Sequence, residues 1–571
     1  MRNTIVIGLL AAAAFAQSPT TLIKVDQVGY PGKGLKVALV APKGTVTGFT
    51  VRRAGNGSIA FRGKLSAPLA DADSGDAVQA ADFTPLAKPG RYFVEIPGVG
   101  RSWEFAVGPD VYARAWYLAM RSYYGQRCGT AVDLGPEFPG FKHDACHLVG
   151  AFHASSGKTG PHDSRGGWHD AGDYGRYVVN SGITTGTLLW TFEMFEPKVR
   201  AIRLNLPESG NGTPDILNEI RWNLDWMLTM QDEDGGVWHK QTSEQFPGFI
   251  MPEQDKLVSF VIGTGQEPFK SSCATGDLAA VAAIAARVYK PFDTVYAAKC
   301  LRAARLGFEW IEKHPNVTFQ NPKGVGTGGY GDGNCGDEHL WAAAELWRTT
   351  REETYHRYFL DHYAGFKNAL RPNAPPEGWA DLANMALWTY VLGGGPDAAV
   401  AGEIRRNSLI AADQIVTRSA ANGYRISLAT RDYVWGSNGV VANYGMQLLV
   451  ANALQPNPRY VEAAIENLHY LLGRNTFSLS FVTQVGANPF RHPHHRPSGA
   501  GQNSEPWPGL LSGGPNHGRQ DDSMRDLKKL PEGLPPAKMY LDELGSYASN
   551  EVAINWNAPL VFLLAGALGG K

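Results

Sequence analysis

The chain has 571 residues, 43% hydrophobic and 19% charged, with a formal net charge of -1. That length is too great for a single compact core, and the two fractions are those of a soluble globular protein. With no basic surplus to neutralise phosphates, nucleic acid is excluded as a partner.

The opening MRNTIVIGLLAAAAFAQ reads as a signal peptide, residues 1–16. Arg2 supplies the positive start, Ile5 to Phe15 the apolar run and Ala14-Phe15-Ala16 the cleavage site. An exported protein is therefore expected, secreted or periplasmic. The run is too short to span a bilayer, as is Ala558 to Leu568, which reads instead as a buried core helix. No membrane partner is expected.

Residues 21–107 read as strands. IKVDQVGY, KVALVAP, FTVRRA, SIAFRG, GRYFVEI and SWEFAVG are short, alternating and separated by Gly, Pro and Asp turns. Their spacing suggests a small antiparallel sandwich. The segment holds no cysteine and no obvious chemical cluster.

From Val111 the pattern becomes helical. Twelve helices are expected near 110–125, 183–196, 214–230, 274–289, 293–313, 337–349, 353–367, 380–393, 397–418, 440–454, 458–473 and 550–567. Thr213 and Pro214 suit the N-cap and first position of one of them. The intervening loops are long and rich in Gly, Pro, Trp and His, as loops that carry function are. Twelve helices with long loops fit an (α/α)6 barrel, although periodicity alone does not choose it. The poorly helical stretches 474–498 and 499–544 include Trp507, Leu510, Leu511 and Met524, which suggest packing on the body.

Chemistry concentrates in GGWHDAGDYGRY, Gly166 to Tyr177, where Asp170 and Asp173 lie among small residues and aromatic rings. Small residues allow tight backbone approach, and paired carboxylates can hold and activate water. Five cysteines, at 128, 146, 273, 300 and 335, argue against a full disulfide framework. Cys273 and Cys300 lie in alanine-rich helical stretches and read as core. Cys128, Cys146, His147 and His169 are zinc-type donors, alternatively two free thiols, or a disulfide, with unrelated histidines. SFVTQVGANPFRHPHHR, Ser480 to Arg496, reads as a substrate-binding tract of Arg and His donors, with metal binding or a solvated loop as alternatives. In YLDELGSYASNEVAINWNAPLVFLLA, Asp542 and Glu551 flank Tyr547, and Glu551 sits where a loop becomes an apolar helix. A carboxylate there is either a residue favoured by the helix dipole or an acid with a raised pKa.

These motifs resemble glycoside hydrolase family 9, the inverting cellulases, in the subgroup with an N-terminal immunoglobulin-like domain. LIKVDQVGYPGKGLKVALV is similar to the start of that domain. GGWHDAGDYGRYVVN, VTQVGANPFRHPHHR and YLDELGSYASNEVAINWNA resemble the catalytic-base, histidine and Asp/Glu signatures, in the family's order. The resemblance implies an immunoglobulin-like domain at 21–107 and an (α/α)6-barrel catalytic domain at 110–571. It implies Asp173 as general base, Asp170 holding the same water, Glu551 as general acid, and His494 and Arg496 binding sugar. Asp542 would support the site. It also implies a structural zinc on Cys128, Cys146, His147 and His169. Calcium is bound by many members; no motif places it here, and Asp521 and Asp522 stand as candidates. Trp168, Trp341, Trp379, Trp435 and Tyr547 are candidate stacking platforms.

The function expected is an exported, monomeric, inverting endo-β-1,4-glucanase. With no cellulose-binding module or Ser/Thr/Pro linker evident, soluble or amorphous β-1,4-glucan is the expected substrate. Alternatives are an exo-acting cello-oligosaccharide hydrolase, an exo-glucosaminidase, a zinc hydrolase, or a non-catalytic carbohydrate-binding protein, the last disfavoured by retention of Asp170, Asp173 and Glu551.

Overall fold

A computed structural model describes residues 18–42, 44 and 46–569; the expected signal peptide lies outside them. The chain begins with ten strands: β1 (Ile23–Lys24), β2 (Gly29–Pro31), β3 (Val37–Val40), β4 (Gly48–Arg53), β5 (Ile59–Lys64), β6 (Leu69–Asp71), β7 (Asp76–Asp82), β8 (Gly90–Ile96), β9 (Gly100–Arg101) and β10 (Phe105–Gly108). They form two sheets, ordered β1-β3-β7-β6 and β2-β10-β8-β4-β5, with β9 on β8. Val51 faces Val94 in the β4–β8 register. Both are buried with Val40, Phe83, Tyr92 and Phe105 in a core between the sheets. Strands β6 and β7 were not expected, because LADADSGDAVQAAD is alanine- and aspartate-rich and carries little β-propensity. The sheet supplies their pairing.

The helices are α1 (Ala113–Gly125), α2 (Val178–Val199), α3 (Asp215–Thr229), α4 (Ser272–Val288), α5 (Thr294–Lys313), α6 (Gly336–Thr350), α7 (Glu353–His362), α8 (Ala383–Leu392), α9 (Ala398–Ala421), α10 (Ser437–Leu454), α11 (Pro458–Leu471), the short α12 (Arg496–Ala500), α13 (Asp522–Arg525) and α14 (Tyr547–Asn550), and α15 (Ile554–Ala567). Six of them, α2, α4, α6, α8, α10 and α15, form an inner ring; α2 packs on α4 and α15, α6 on α4 and α8, and α10 on α15. Helices α1, α3, α5, α7, α9 and α11 form an outer layer, with α9 reaching from α8 to α10. Composition explains the division. Helix α4 (SCATGDLAAVAAIAARV) is small and apolar all round and is buried along nearly its whole length. Helix α5 buries one face, including Tyr296, Cys300, Ala304, Phe308 and Ile311, and exposes the other. The fold is an (α/α)6 barrel preceded by a β-sandwich.

Local details differ from expectation. Helix α3 starts at Asp215 with Pro214 in the cap position and no side-chain cap, one residue later than the Thr213 reading. Cys273 is buried but is not a free core thiol. It forms a disulfide with Cys335, which joins the start of α4 to the residue before α6. Cys300 is buried and free. Among the described residues no helix is long and apolar enough to cross a membrane.

The stretch 474–544 packs on the body through buried Trp507, Leu510, Leu511 and Met524. The sandwich also contributes to it. Gln27 donates to Ser478 O at 2.9 Å, and its Oε1 accepts from Ala487 N at 3.1 Å and Asn488 N at 2.6 Å. Beside it, buried Asp26 accepts from Tyr112 OH at 3.0 Å and meets His469 Nδ1 at 2.8 Å. These groups tie the sandwich to α11 and to the loop that leads into the histidine tract.

Candidate active site

One end of the barrel carries the long loops and a cleft of about 820 Å³. Asp170, Asp173, Tyr177, Phe246, Tyr330, Trp379, Trp435, His494, Arg496, Tyr547, Glu551 and Trp556 all border it. The three signature segments converge there through backbone bonds. Ile554 N donates to Asp170 O at 2.9 Å, Arg496 N to Gly172 O at 3.1 Å and His494 N to Asn550 O at 2.9 Å. Gly172 permits this approach, since a Cβ there would lie 2.1 Å from His494 O.

The three carboxylates occupy different settings. Asp173 Oδ2 accepts from Gly175 N at 3.0 Å and Tyr177 OH at 3.1 Å. Asp170 is buried and accepts from Asn180 Nδ2 at 2.5 Å and Tyr330 OH at 2.6 Å. Burial, and then the neighbouring Asp173, push its pKa up to about 8, against the pull of those two donors. Asp170 therefore keeps its proton at neutral pH, which relieves the repulsion expected of paired carboxylates. Burial also raises Glu551 well above the usual carboxylate range, reinforced by Asp173 and Asp170.

His494 Nδ1 lies 2.7 Å from Leu544 O, and its ring meets Phe249 and Tyr547 edge-on, at 5.1 and 5.7 Å. Burial lowers its pKa, which favours the neutral imidazole. Arg496 donates to Gly172 O at 2.8 Å and Pro247 O at 3.0 Å, and its guanidinium lies 5.3 Å from the Phe246 ring. Asp542 does not border the cleft. It accepts from Arg491 N and His492 N, each at 2.8 Å, and so shapes the histidine tract. His495 is buried between Gln126 and Ser498 and serves packing.

Of the candidate platforms, Trp379, Trp435 and Tyr547 reach the cleft. Trp435 pairs with Tyr547 at 5.3 Å, and Trp379 lies edge-on to Tyr330 at 5.1 Å. Trp168 and Trp341 are corrected: both are fully buried, their indole N–H groups donating to Glu219 and Glu345. A tryptophan in a motif or on an inner helix reads alike in sequence whether it faces core or cleft. Tyr177, Tyr330, Phe246 and Trp556 were missed as site residues. Tyr177 follows Asp173 by four residues, and Tyr330 sits in the glycine-rich run GTGGYGDGN; either could have raised the question.

Two side-chain clusters could hold metal. Cys128, Cys146, His147 and His169 each present a ligand atom within 4.8 Å of the others. Nδ1 of His147 and of His169 are buried without a hydrogen-bond partner, and Asp255 fixes the other nitrogen of His147 at 3.2 Å. Burial raises the Cys128 thiol, but contact with Cys146 and the charges of Arg176, His169 and His147 carry it below the thiol range. Two sulfurs and two imidazoles in a closed, buried set fit a structural zinc. The cluster braces the segment before Asp170: Cys128 N donates to Gly167 O at 2.8 Å and His169 N to Gln126 O at 2.7 Å.

The second cluster brings ligand atoms of Asp332, Glu338 and Cys273 within 4.8 Å of one another, with Asp277 near enough to act on Glu338 electrostatically. Both carboxylate oxygens of Asp277 and of Glu338 are buried without hydrogen-bond partners. Burial and mutual repulsion raise Asp277 and Glu338, and burial pushes Asp337 up to about 7. Asp277, Asp332 and Glu338 offer carboxylate oxygens of the kind a hard cation such as calcium takes. Cys273 lies beside Asp332 and Glu338, but its sulfur is committed to the disulfide. Asp521 and Asp522, the candidates from sequence, do not fit. Asp521 caps α13 and holds Ala548 N, while Asp522 is exposed and paired with Arg525.

Fold and site together define a carboxylate-bearing hydrolase barrel with an N-terminal sandwich. Residues 112–564 match the family model described as glycosyl hydrolase family 9, and residues 18–101 match the cellulase N-terminal Ig-like domain. The chain is 38% identical over 549 residues to endoglucanase D of Acetivibrio thermocellus, covering 95% of this chain and 83% of that one. It is 35% identical to a cellodextrinase of Butyrivibrio fibrisolvens, covering 96% and 99%. A solved Zn-binding triple mutant of GH family 9 endoglucanase J30 superposes with a TM-score of 0.88 at 36% identity, covering 95% of this chain and all of that one. The chain belongs to glycosyl hydrolase family 9.

Proposed function

We propose that the protein is an exported, monomeric endo-β-1,4-glucanase that hydrolyses soluble or amorphous β-1,4-glucan with inversion at the anomeric carbon. Residues 21–107 form its accessory domain and 110–571 its catalytic domain. The observation that carries the reading is the contrast between the settings of the two carboxyls in the cleft. Asp173 Oδ2 accepts one N–H and one O–H. Burial and two acidic neighbours keep the proton on Glu551.

A glucan chain lies along the cleft between Tyr330–Trp379 and Trp435–Tyr547, whose rings stack on sugar faces. His494 and Arg496 donate to hydroxyls beside the scissile bond. Glu551 gives its proton to the glycosidic oxygen as the C1–O bond breaks. Asp173 takes a proton from a water held with Asp170, and the water oxygen bonds to C1 from the opposite face. The products are a hemiacetal of inverted configuration and a free 4-hydroxyl end. The enzyme is left with Asp173 protonated and Glu551 ionised, and solvent exchange restores both.

Zinc on Cys128, Cys146, His147 and His169 would rigidify the backbone before Asp170, with no position open for water. Calcium among Asp277, Asp332 and Glu338 would neutralise the junction of α4 and α6. The Cys273–Cys335 disulfide supports export, because such bonds persist in oxidising compartments.

The similarity to a cellodextrinase favours a second reading with the same chemistry, in which short cello-oligosaccharides are cut from one end. Product profiles on carboxymethyl cellulose, cellohexaose and chitosan oligomers, with Glu551→Gln as control, decide between them. Rapid viscosity loss with mixed short products is expected. Release from one end only, or cleavage of chitosan alone, would overturn the substrate; no difference from the control would overturn the enzyme.

A further inference from the structure

Lys240 is fully buried, and among the described residues it forms no ion pair. It sits opposite Tyr177 in a short antiparallel strand pair, Tyr177 facing Lys240 and Arg176 facing Gln241. Its Nζ donates to Asn321 Oδ1 at 2.8 Å, Gly328 O at 2.6 Å and Thr327 Oγ1 at 3.1 Å, with Thr327 O at 3.4 Å. All four acceptors are neutral. Removing an ammonium from water without a counter-charge is costly, so its presence calls for a reason beyond packing.

Two features supply one. The residues it grips, Thr327 and Gly328, belong to the strip Gly326 to Tyr330 that walls the cleft. Tyr330, at the end of that strip, donates to Asp170. Across the sheet, Nζ lies 5.5 Å from the centre of the Tyr177 ring, whose hydroxyl donates to Asp173. Other charged or titratable groups surround Asp173; His147, Tyr174 and Asp255 share a small recess with it. Asp170 and Glu551 are acidic, Tyr177 and Tyr330 are neutral, burial favours the neutral form of His494, and Arg496 approaches from the histidine tract. His239, next to Lys240, stacks on Phe319 at 3.8 Å and stays uncharged, its pKa pushed down to about 3.

We propose that Lys240 is a positioning residue for the hydrolytic reaction: its buried ammonium favours the ionised form of Asp173 through Tyr177 and clamps the cleft wall that carries Tyr330. It does not touch substrate. The inference rests on the reading of Asp173 as the base. Burial brings Lys240 down to about 7, with Asp173 the opposing influence, so it is charged throughout the acidic range in which a base carboxylate changes state.

Lys240→Met removes charge and donors at nearly constant shape. Lys240→Gln removes the charge and keeps two donors for the wall. The test is kcat and KM on cellohexaose from pH 4 to 8, with thermal unfolding recorded for each protein. In both variants the acidic limb of kcat/KM should move up by about one pH unit, roughly tenfold in rate on that limb. KM should rise in Lys240→Met and stay near wild type in Lys240→Gln, because only the former frees the wall. An acidic limb at its wild-type position in both folded variants would overturn the proposal, whatever happens to stability. If Lys240→Met does not fold, Lys240→Gln alone decides. The two readings fail separately. An Asp173→Asn protein at the wild-type rate sinks Asp173 as base. An unmoved limb in enzyme that loses its rate with Asp173→Asn sinks the role of Lys240.

Discussion

Asp173 and Glu551 are carboxyls on two segments that are nearly four hundred residues apart in sequence yet held edge to edge, and their surroundings differ almost completely. Asp173 lies in a glycine loop that turns a backbone N–H and a tyrosine hydroxyl toward it. Glu551 lies just before an apolar helix, α15, where burial and acidic neighbours act on it. On the proposed mechanism, the acid and base roles follow from local solvation rather than from residue type.

Substitutions that erase one side of the contrast should have the largest effect. Asp173→Asn and Glu551→Gln should each lower kcat by about 10²–10⁴-fold. Only the Glu551→Gln enzyme should recover, on aryl cellobiosides whose leaving group needs no proton. Rescue of both, or of neither, in steady-state assays would remove the distinction. The pH profile follows from the same asymmetry. Glu551 must be protonated to act, and its pKa is raised, so activity is present below that raised value and lost as pH rises through it.

Next in size is the support beneath Asp173. A strong chelator should first lower the unfolding temperature, with the initial rate at low temperature nearly unchanged, because the Cys128, Cys146, His147 and His169 set closes without an open position. Immediate loss of turnover with unchanged stability would point to a catalytic metal. The smallest effect is expected at the sandwich. Gln27→Ala should raise KM several-fold on cellohexaose by loosening the turn at Ala487 and Asn488, which leads to His494 and Arg496. Unchanged kinetics would confine Gln27 to packing.

Much of this was legible in the sequence, and the exceptions share a cause. Alternating strands, apolar helical faces and the three acidic and histidine signatures are local patterns, and each lies near its expected residues. What escaped was set by contacts between distant segments. Cys335 meets Cys273 across 62 residues, and an odd cysteine count gave no pairing. The unpartnered Asp277 and Glu338 come from α4 and α6, each unremarkable within its own helix. Tyr330 reaches Asp170 from a loop 160 residues away. Trp168 and Trp341 erred the other way: their motif and helix are right, but burial is a property of the packed barrel.

The most direct test of the central claim is the configuration of the first product. Proton NMR of cellohexaose hydrolysis, followed from the first minutes, reads the anomeric signal before mutarotation. Single displacement by water, with Glu551 as acid and Asp173 as base, predicts that the α-anomer appears first and the β-anomer only later. Initial release of the β-anomer would mean a glycosyl-enzyme intermediate and would contradict the roles assigned to both carboxyls.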